Sequence, residues 1–396
     1  MKPRQYQLDF TEQAIKIIKE NMLVYLAMEE RCGKTLVAIM TCEAIDVQRI
    51  LVLTKKKGIK GWEDTLTKFK HIKHYTVTNY HQAKKFNPKD YDLVILDEAH
   101  NYISNFPKRS ATWKAVRHLT KGKPLIYLSA TPYAQGVQLL FNQLALSDWS
   151  PFRQWSSPYS WFRDFGIPDP IYLYGRSVET YKKFRTEEVL GYVRHLFIKA
   201  RRKELGFKHE PKDKLHYFEL SDNVREVYNT LLKAKCIILN DKELLCDTSL
   251  KLRCSLHMLE GGVAKIGNEY IILGNTEKIE YIKYHWGDSK NMVIMYNYIA
   301  EGQKLAKHFK NATILQATSN AEAIDLYNKE HLIIYSQDFS TARHVQRRAR
   351  QANMKRETPI TVHFLLVKKA ISEQVYKTVS INKQNFVDSV FQKEQL

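Results

Sequence analysis

Short apolar runs without polar alternation punctuate the first third of the chain: MLVYLAM (22–28), ILVLT (50–54), LVIL (93–96) and LIYLS (125–129). Such runs predict strands buried on both faces. Between the first two, Thr35 to Ala44 has helical spacing, with Leu36, Ile39 and Met40 on one side. A second series follows late: MVIMY (292–296), TILQA (313–317), HLIIYS (331–336) and ITVHFLLV (360–367), with helices predicted over EGQKLAKHF (301–309) and STARHVQRRARQ (340–351). Strands alternating with helices in this way predict parallel sheets flanked by helices. Two α/β domains in tandem are expected.

The middle, from about Val137 to Lys290, breaks this rhythm. It opens on DWSPFRQWSSPYSWFRDFGIPDP (148–170), continues with the basic run KARRKELGFKHEPKDK (199–214), and then turns helical at VREVYNTLLKAKCIIL (224–239). Aromatic platforms suit single-stranded nucleic acid. The preferred reading of Trp149, Phe152, Trp155, Tyr159, Trp161 and Phe162 is instead a hydrophobic cluster holding an insertion in place. The basic run reads as an interdomain linker.

The chain has 396 residues, beyond the size at which one core keeps growing, and a net charge of +20. An excess of that kind favours a polyanionic partner, nucleic acid before a membrane surface. No stretch reaches the ~18 apolar residues of a membrane span, and MKPRQYQLDF has no signal-peptide core. The five cysteines (Cys32, Cys42, Cys236, Cys246, Cys254) form no CxxC pair, against zinc and against a disulfide framework. A cytoplasmic protein is expected.

Candidate chemistry begins at LAMEERCGKT (26–35). A phosphate-binding loop points backbone N–H groups and a helix N-terminus at phosphates. Gly33 would let the backbone approach, Lys34 would neutralise the β/γ-phosphates, and the Thr35 hydroxyl would hold Mg²⁺, with Arg31 adding charge. The usual leading glycine is replaced by Met28. Support comes from YDLVILDEAHN (91–101), which ends a strand on Asp97-Glu98 and sets two carboxylates at the ligand-binding edge of a sheet. Asp97 would hold Mg²⁺ and Glu98 would deprotonate the attacking water.

At these residues the sequence resembles the superfamily-two helicases and translocases, and within them the Swi/Snf-type DNA-dependent ATPases. PRQYQ (3–7) is similar to their adenine-recognising motif, which would give Arg4 and Gln7 to the base; Glu29 and RCGKT, Cys32 included, match the first motif in the form without its leading glycine. ILVLTKKKGIKGWEDTL (50–66) and YTVTNYHQ (75–82) resemble two DNA-contacting segments. The resemblance thus implies Lys55, Lys56, Trp62, Asn79 and Tyr80 as DNA contacts, with Lys57 and Lys60 on the same track. LDEAH (96–100) resembles the second motif and LSATP (128–132) the third, in which His100, Ser129 and Thr131 would couple hydrolysis to DNA. SNAEAIDL (319–326) resembles the fifth, with Ala323 where glycine is usual. QRRAR (346–350) resembles the sixth: Gln346 would face the γ-phosphate, Arg350 would be an arginine finger, and Arg347 would meet DNA. The family's further arginine is replaced by Asn353, and Arg347, Arg348 and Arg356 are the possible substitutes.

The resemblance implies two tandem RecA-like domains with parallel sheets, ATP and Mg²⁺ as cofactors, and ATP held between the domains. The domains are expected at 1–205, with an aromatic-rich helical extension from about 137, and at 206–396, with a helical insertion at about 222–290. A DNA helicase or translocase acting as a monomer on single-stranded, duplex or branched DNA is expected, of the compact kind found in phages and mobile elements. One rival is a nucleic-acid-binding scaffold that keeps the fold and has lost ATP hydrolysis. Another is a P-loop enzyme of small molecules or proteins, which leaves the charge of +20 without a purpose.

Overall fold

The computed structural model describes residues 2–133, 136–173, 176–317 and 326–382. The chain divides into two compact units, Met1–Gly206 and Phe207–Leu396.

The first unit opens with α1 (Gln5–Asn21), which buries Gln7, Thr11, Ala14 and Ile18 along one stripe. It continues through β1 (Leu23–Met28), α2 (Lys34–Ala44), β2 (Arg49–Thr54), α3 (Ile59–Lys68), β3 (His74–Asn79), β4 (Leu93–Asp97), α4 (Ala111–Thr120) and β5 (Leu125–Leu128). Ser110 starts α4 by accepting the Trp113 N–H at 3.1 Å. Beyond β5 come α5 (Leu139–Leu144), α6 (Pro158–Phe165), four short strands β6 (Gly166–Ile167), β7 (Pro170–Leu173), β8 (Arg176–Glu179) and β9 (Lys183–Phe184), then α7 (Thr186–Val193) and β10 (Phe197–Ala200). All pairings in the main sheet, ordered β10-β1-β5-β4-β2-β3, are parallel.

The four runs expected as strands are β1, β2, β4 and β5, and their apolar residues are buried almost throughout, as two covered faces require. The segment after β5 mixes helices with two small hairpins. Part of its aromatic set packs inward, whereas Trp149 and Tyr159 are exposed: Phe152 and Trp161 are buried with Phe141, Phe165 and Phe184, and the Trp161 ring centroid lies 5.0–5.7 Å from those of five phenylalanines. Trp161→Ala should therefore destabilise this unit by about 3–5 kcal/mol, read as a lower denaturant midpoint. A protein of unchanged stability with weakened DNA binding would make Trp161 a stacking platform instead.

The second unit contains β11 (Lys212–Phe218), α8 (Asp222–Ala234), β12 (Cys236–Leu239), β13 (Lys242–Leu245), α9 (Ser249–Glu260), β14 (Val263–Ile266), β15 (Glu269–Ile272), α10 (Glu277–Trp286), β16 (Met292–Tyr296), α11 (Ile299–His308), β17 (Thr313–Gln316), β18 (His331–Ile334), α12 (Thr341–Arg348), β19 (Thr361–Val367) and α13 (Ile371–Tyr376). Its sheet, β11-β19-β18-β16-β17, is also parallel throughout. Between β11 and β16 the three helices are interleaved with two antiparallel hairpins, so this insertion is not purely helical. Two tandem α/β lobes built on parallel sheets are the fold class expected from the sequence.

The basic run 199–214 is not a free linker. Its first two residues, Lys199 and Ala200, end β10 against β1, and its last three, Lys212–Lys214, begin β11 against β19. Both strands sit at sheet edges, where one exposed side admits charged residues.

Candidate functional site

The parallel order places the ends of β1, β5 and β4 side by side, with Leu26 in register with Leu128 and Leu128 with Asp97. The loop after β1 then turns into α2 through Gly33, which has φ +81°. A methyl group there would be strained and would also come within 2.1 Å of Gln7 Nε2. Gln7 is buried, and its Oε1 accepts the Arg4 backbone N–H at 3.0 Å. Gln7 and the loop that turns into α2 are thus in contact, while the Arg4 side chain is exposed.

Lys34 Nζ donates to the carbonyls of Met28 at 2.8 Å and Glu29 at 3.2 Å, curled over its own loop. Its charge reaches Glu98 and His100. Cys32 is buried, and burial pushes its thiol up to about 12, so it serves as a packing residue rather than a thiolate. Arg31, with φ +69°, is half-buried in the same loop, and Thr35 is half-buried in the first turn of α2.

Glu98 follows β4 in the left-handed region, φ +52°. Burial and the neighbouring Asp97 raise its carboxyl above the usual range, and Lys34 and Lys55 pull it back. Its Oε2 is a buried atom with no hydrogen-bond partner, 3.5 Å from His100 Nδ1. Burial drives the His100 pKa down to about 4, so the ring is neutral near pH 7. His100 Nδ1 lies 2.9 Å from Ser129 Oγ, which accepts the Thr131 N–H at 3.0 Å. Glu98, His100, Ser129 and Thr131 therefore form one chain of contacts along the sheet edge, and the buried Thr131 Oγ1 has no partner.

Three residues expected to touch DNA do not face solvent. Trp62 is 2% exposed and its indole N–H donates to Asp97 Oδ2 at 2.9 Å. Tyr80 is 1% exposed and its hydroxyl donates to the Asp97 carbonyl at 3.0 Å. Arg347 is 4% exposed and lies 3.5 Å from Asp338 Oδ2. Thr54, also buried, joins Trp62 on Asp97 Oδ2, donating at 2.7 Å. Asn79 caps the next turn by accepting the His81 N–H at 3.1 Å. Lys55 is half-buried, whereas Lys56 and Lys57 in the turn that follows β2 and Lys60 in the first turn of α3 are exposed.

In the second lobe Gln346 is half-buried on α12, but α12 ends at Arg348, and Arg350 lies in the following 3₁₀ turn Ala349–Gln351. The substitutes for the missing arginine are committed elsewhere. Arg348 is paired with Asp213 at 2.6 Å. Arg356 is buried and donates to the carbonyls of Thr358, Tyr327, Lys329 and Pro359 at 2.7–3.3 Å. Asn353 accepts the Lys355 N–H at 2.9 Å, which caps a turn. Most of the fifth-motif stretch, Ala323 included, lies outside the described residues.

No sequence pattern singles out Arg202. It is 7% exposed, donates its backbone N–H to Glu29 Oε2 at 2.9 Å, and pairs with Glu30 at 3.3 Å. These bonds span more than 170 residues, and only the β1–β10 pairing creates them.

Among the described residues no group of three His, Cys, Asp or Glu could hold a metal, and no helix is long and apolar enough to cross a membrane. A hydroxyl at Thr35 and one carboxylate at Asp97 fit Mg²⁺, which takes most of its ligands from water and substrate phosphates.

The geometry sets the loop after β1 and the ends of β4 and β5 together at one edge of a parallel sheet. Residues 63–134, which carry Asp97, Glu98, His100, Ser129 and Thr131, match the family model described as Type III restriction enzyme, res subunit. That match lies within the first unit and spans the stretch read above as the second and third helicase motifs. No curated protein matches the chain. The Sulfolobus solfataricus SWI2/SNF2 ATPase core in complex with dsDNA aligns over 100% of this chain and 94% of that one, at 15% identity and a TM-score of 0.44. A structure of the Sulfolobus solfataricus SWI2/SNF2 ATPase core domain aligns over 98% and 90%, at 14% identity and the same TM-score.

Proposed function

We propose that the protein is a DNA-dependent ATPase that couples ATP hydrolysis to movement along DNA. The observation that carries this reading is the convergence of Lys34, Asp97 and Glu98 at one sheet edge, with a buried carboxylate oxygen left unpaired. Gly33 and the N-terminus of α2 receive the phosphates, and Lys34 exchanges its two carbonyl partners for them. Glu98 takes the proton of the attacking water while that oxygen bonds to the γ-phosphorus and the bond to the β–γ bridging oxygen breaks. Thr35 and Asp97 would hold Mg²⁺, which when bound neutralises charge on the phosphates. The chain of His100, Ser129 and Thr131 ties the base to the end of β5.

The polyanion is DNA, held mainly by backbone charge, in keeping with the net charge of +20 and the exposed lysines after β2. Replacing the exposed Lys56 and Lys60 by alanine should flatten the slope of log K against log salt by about 1.8, if each neutralises one phosphate. An unchanged slope would move the track off this turn. Movement is tested by ATP-driven displacement of a triplex-forming strand from duplex DNA. Displacement that requires ATP and is lost in Lys34→Ala supports the reading. DNA-stimulated hydrolysis with no displacement would reduce the function to a DNA-dependent ATPase that stays in place.

A further inference from the structure

Two segments expected to lie on DNA instead send their large side chains inward to one carboxylate. Thr54, the last residue of β2, and Trp62, in the first turn of α3, both donate to Asp97 Oδ2, at 2.7 and 2.9 Å. Between them run the turn Lys55–Gly58 and the first residues of α3, which together carry Lys55, Lys56, Lys57 and Lys60. The turn is closed by the Gly58 N–H on the Lys55 carbonyl at 2.7 Å, and it sits tightly on Thr54: a methyl group at Gly58 would come within 2.5 Å of Thr54 Oγ1. Lys55 is near enough for its charge to act on Glu98 and His100. From the other side the Tyr80 hydroxyl holds the main-chain oxygen of Asp97, directly after the segment ending at Asn79.

We propose that the lysine turn, Thr54 and Trp62 form a relay through which DNA strengthens the grip of Asp97 on Mg²⁺. Thr54 and Trp62 are positioning residues, and they act only through Asp97. Both are buried, so neither can leave the carboxylate without losing its hydrogen bond. A DNA phosphate on the exposed lysines fixes the turn, and the turn fixes the two donors that aim the carboxylate. Outer partners of this kind set the orientation of a metal ligand. By linkage, whatever factor DNA contributes to metal affinity, the metal returns to DNA affinity. The relay rests on the reading of this lobe as a magnesium-dependent, DNA-stimulated ATPase site.

The test is a binding measurement without turnover. Mg²⁺ is titrated into the full-length protein with a fluorescent ADP analogue, with and without saturating duplex DNA at fixed salt. DNA should lower the half-saturating Mg²⁺ of the wild-type protein by about fivefold or more, the lower range of allosteric coupling. In Trp62→Phe, which keeps an aromatic ring and loses the N–H, the shift should fall below about twofold. Thr54→Val, close in shape and lacking the hydroxyl, should do the same, and it decides the matter if Trp62→Phe fails to fold by circular dichroism. DNA affinity without metal should stay within about twofold of wild type in both variants, because neither side chain reaches DNA. A wild-type protein that binds both ligands with no DNA-dependent shift would overturn the relay. So would variants that keep the full shift, or that lose DNA binding without metal. A wild-type protein that binds neither nucleotide nor DNA would instead overturn the functional reading beneath it.

Discussion

The Glu98→Gln protein is expected to bind ATP with near wild-type affinity and to hydrolyse it about 10²- to 10⁴-fold more slowly, the usual worth of a general base. The substitution keeps the size of the side chain and removes only its ability to take a proton. Glu98 Oε2 is buried, unpaired, and 3.5 Å from a neutral His100, so no other carboxylate in the chain of contacts can replace it. Asp97 is the nearest acid, but its Oδ2 already accepts from Thr54 and Trp62. Single-turnover hydrolysis measured beside nucleotide binding separates the two effects. A Glu98→Gln protein that turned over at the wild-type rate would remove Glu98 from the role of base.

The Arg350→Ala protein should lose about 10³- to 10⁵-fold of the DNA-stimulated rate, the range measured for arginine fingers, while keeping ATP and DNA binding. Arg350 is the arginine that the resemblance to the sixth motif assigns to this role, and the other candidates have partners of their own. Arg347 is buried beside Asp338, Arg348 is tied to Asp213, and Arg356 spends its guanidinium on four carbonyls of its own lobe. Arg356→Ala should accordingly lower the stability of that lobe, leaving those carbonyls unpaired. A protein in which Arg350→Ala is nearly silent and a correctly folded Arg356→Ala is inactive would reverse the assignment.

The strands that carry the site were legible because β1, β2, β4 and β5 are unbroken apolar runs, and the residues that follow β1 and β4 supply the chemistry. Three edge strands were not, although the edge strand β17 was. β10 (FIKA) and β11 (KDKLHYF) lie at sheet edges, and their charged residues read as linker; β3 (HYTVTN) is likewise an edge strand rich in polar residues. Helix α12 stops one residue before the turn that carries Arg350, although helical spacing runs on to Gln351. Trp62 and Tyr80 show a different limit. An aromatic residue in a basic segment suits a stacking platform as well as a core. What decides is a partner, Asp97, that lies 35 and 17 residues away in sequence. The same holds for Arg202, whose role exists only because β10 closes onto β1.

The central claim, that DNA drives ATP hydrolysis at the Lys34–Asp97–Glu98 site, is tested most directly by steady-state ATP turnover. The rate is measured with no polymer, with RNA, and with single-stranded, duplex and branched DNA, using Lys34→Ala as the blank. The account predicts magnesium-dependent turnover that rises several-fold or more on adding DNA, rises less with RNA, and is absent in Lys34→Ala. A rate that is the same with and without DNA, or that survives in Lys34→Ala, would contradict it.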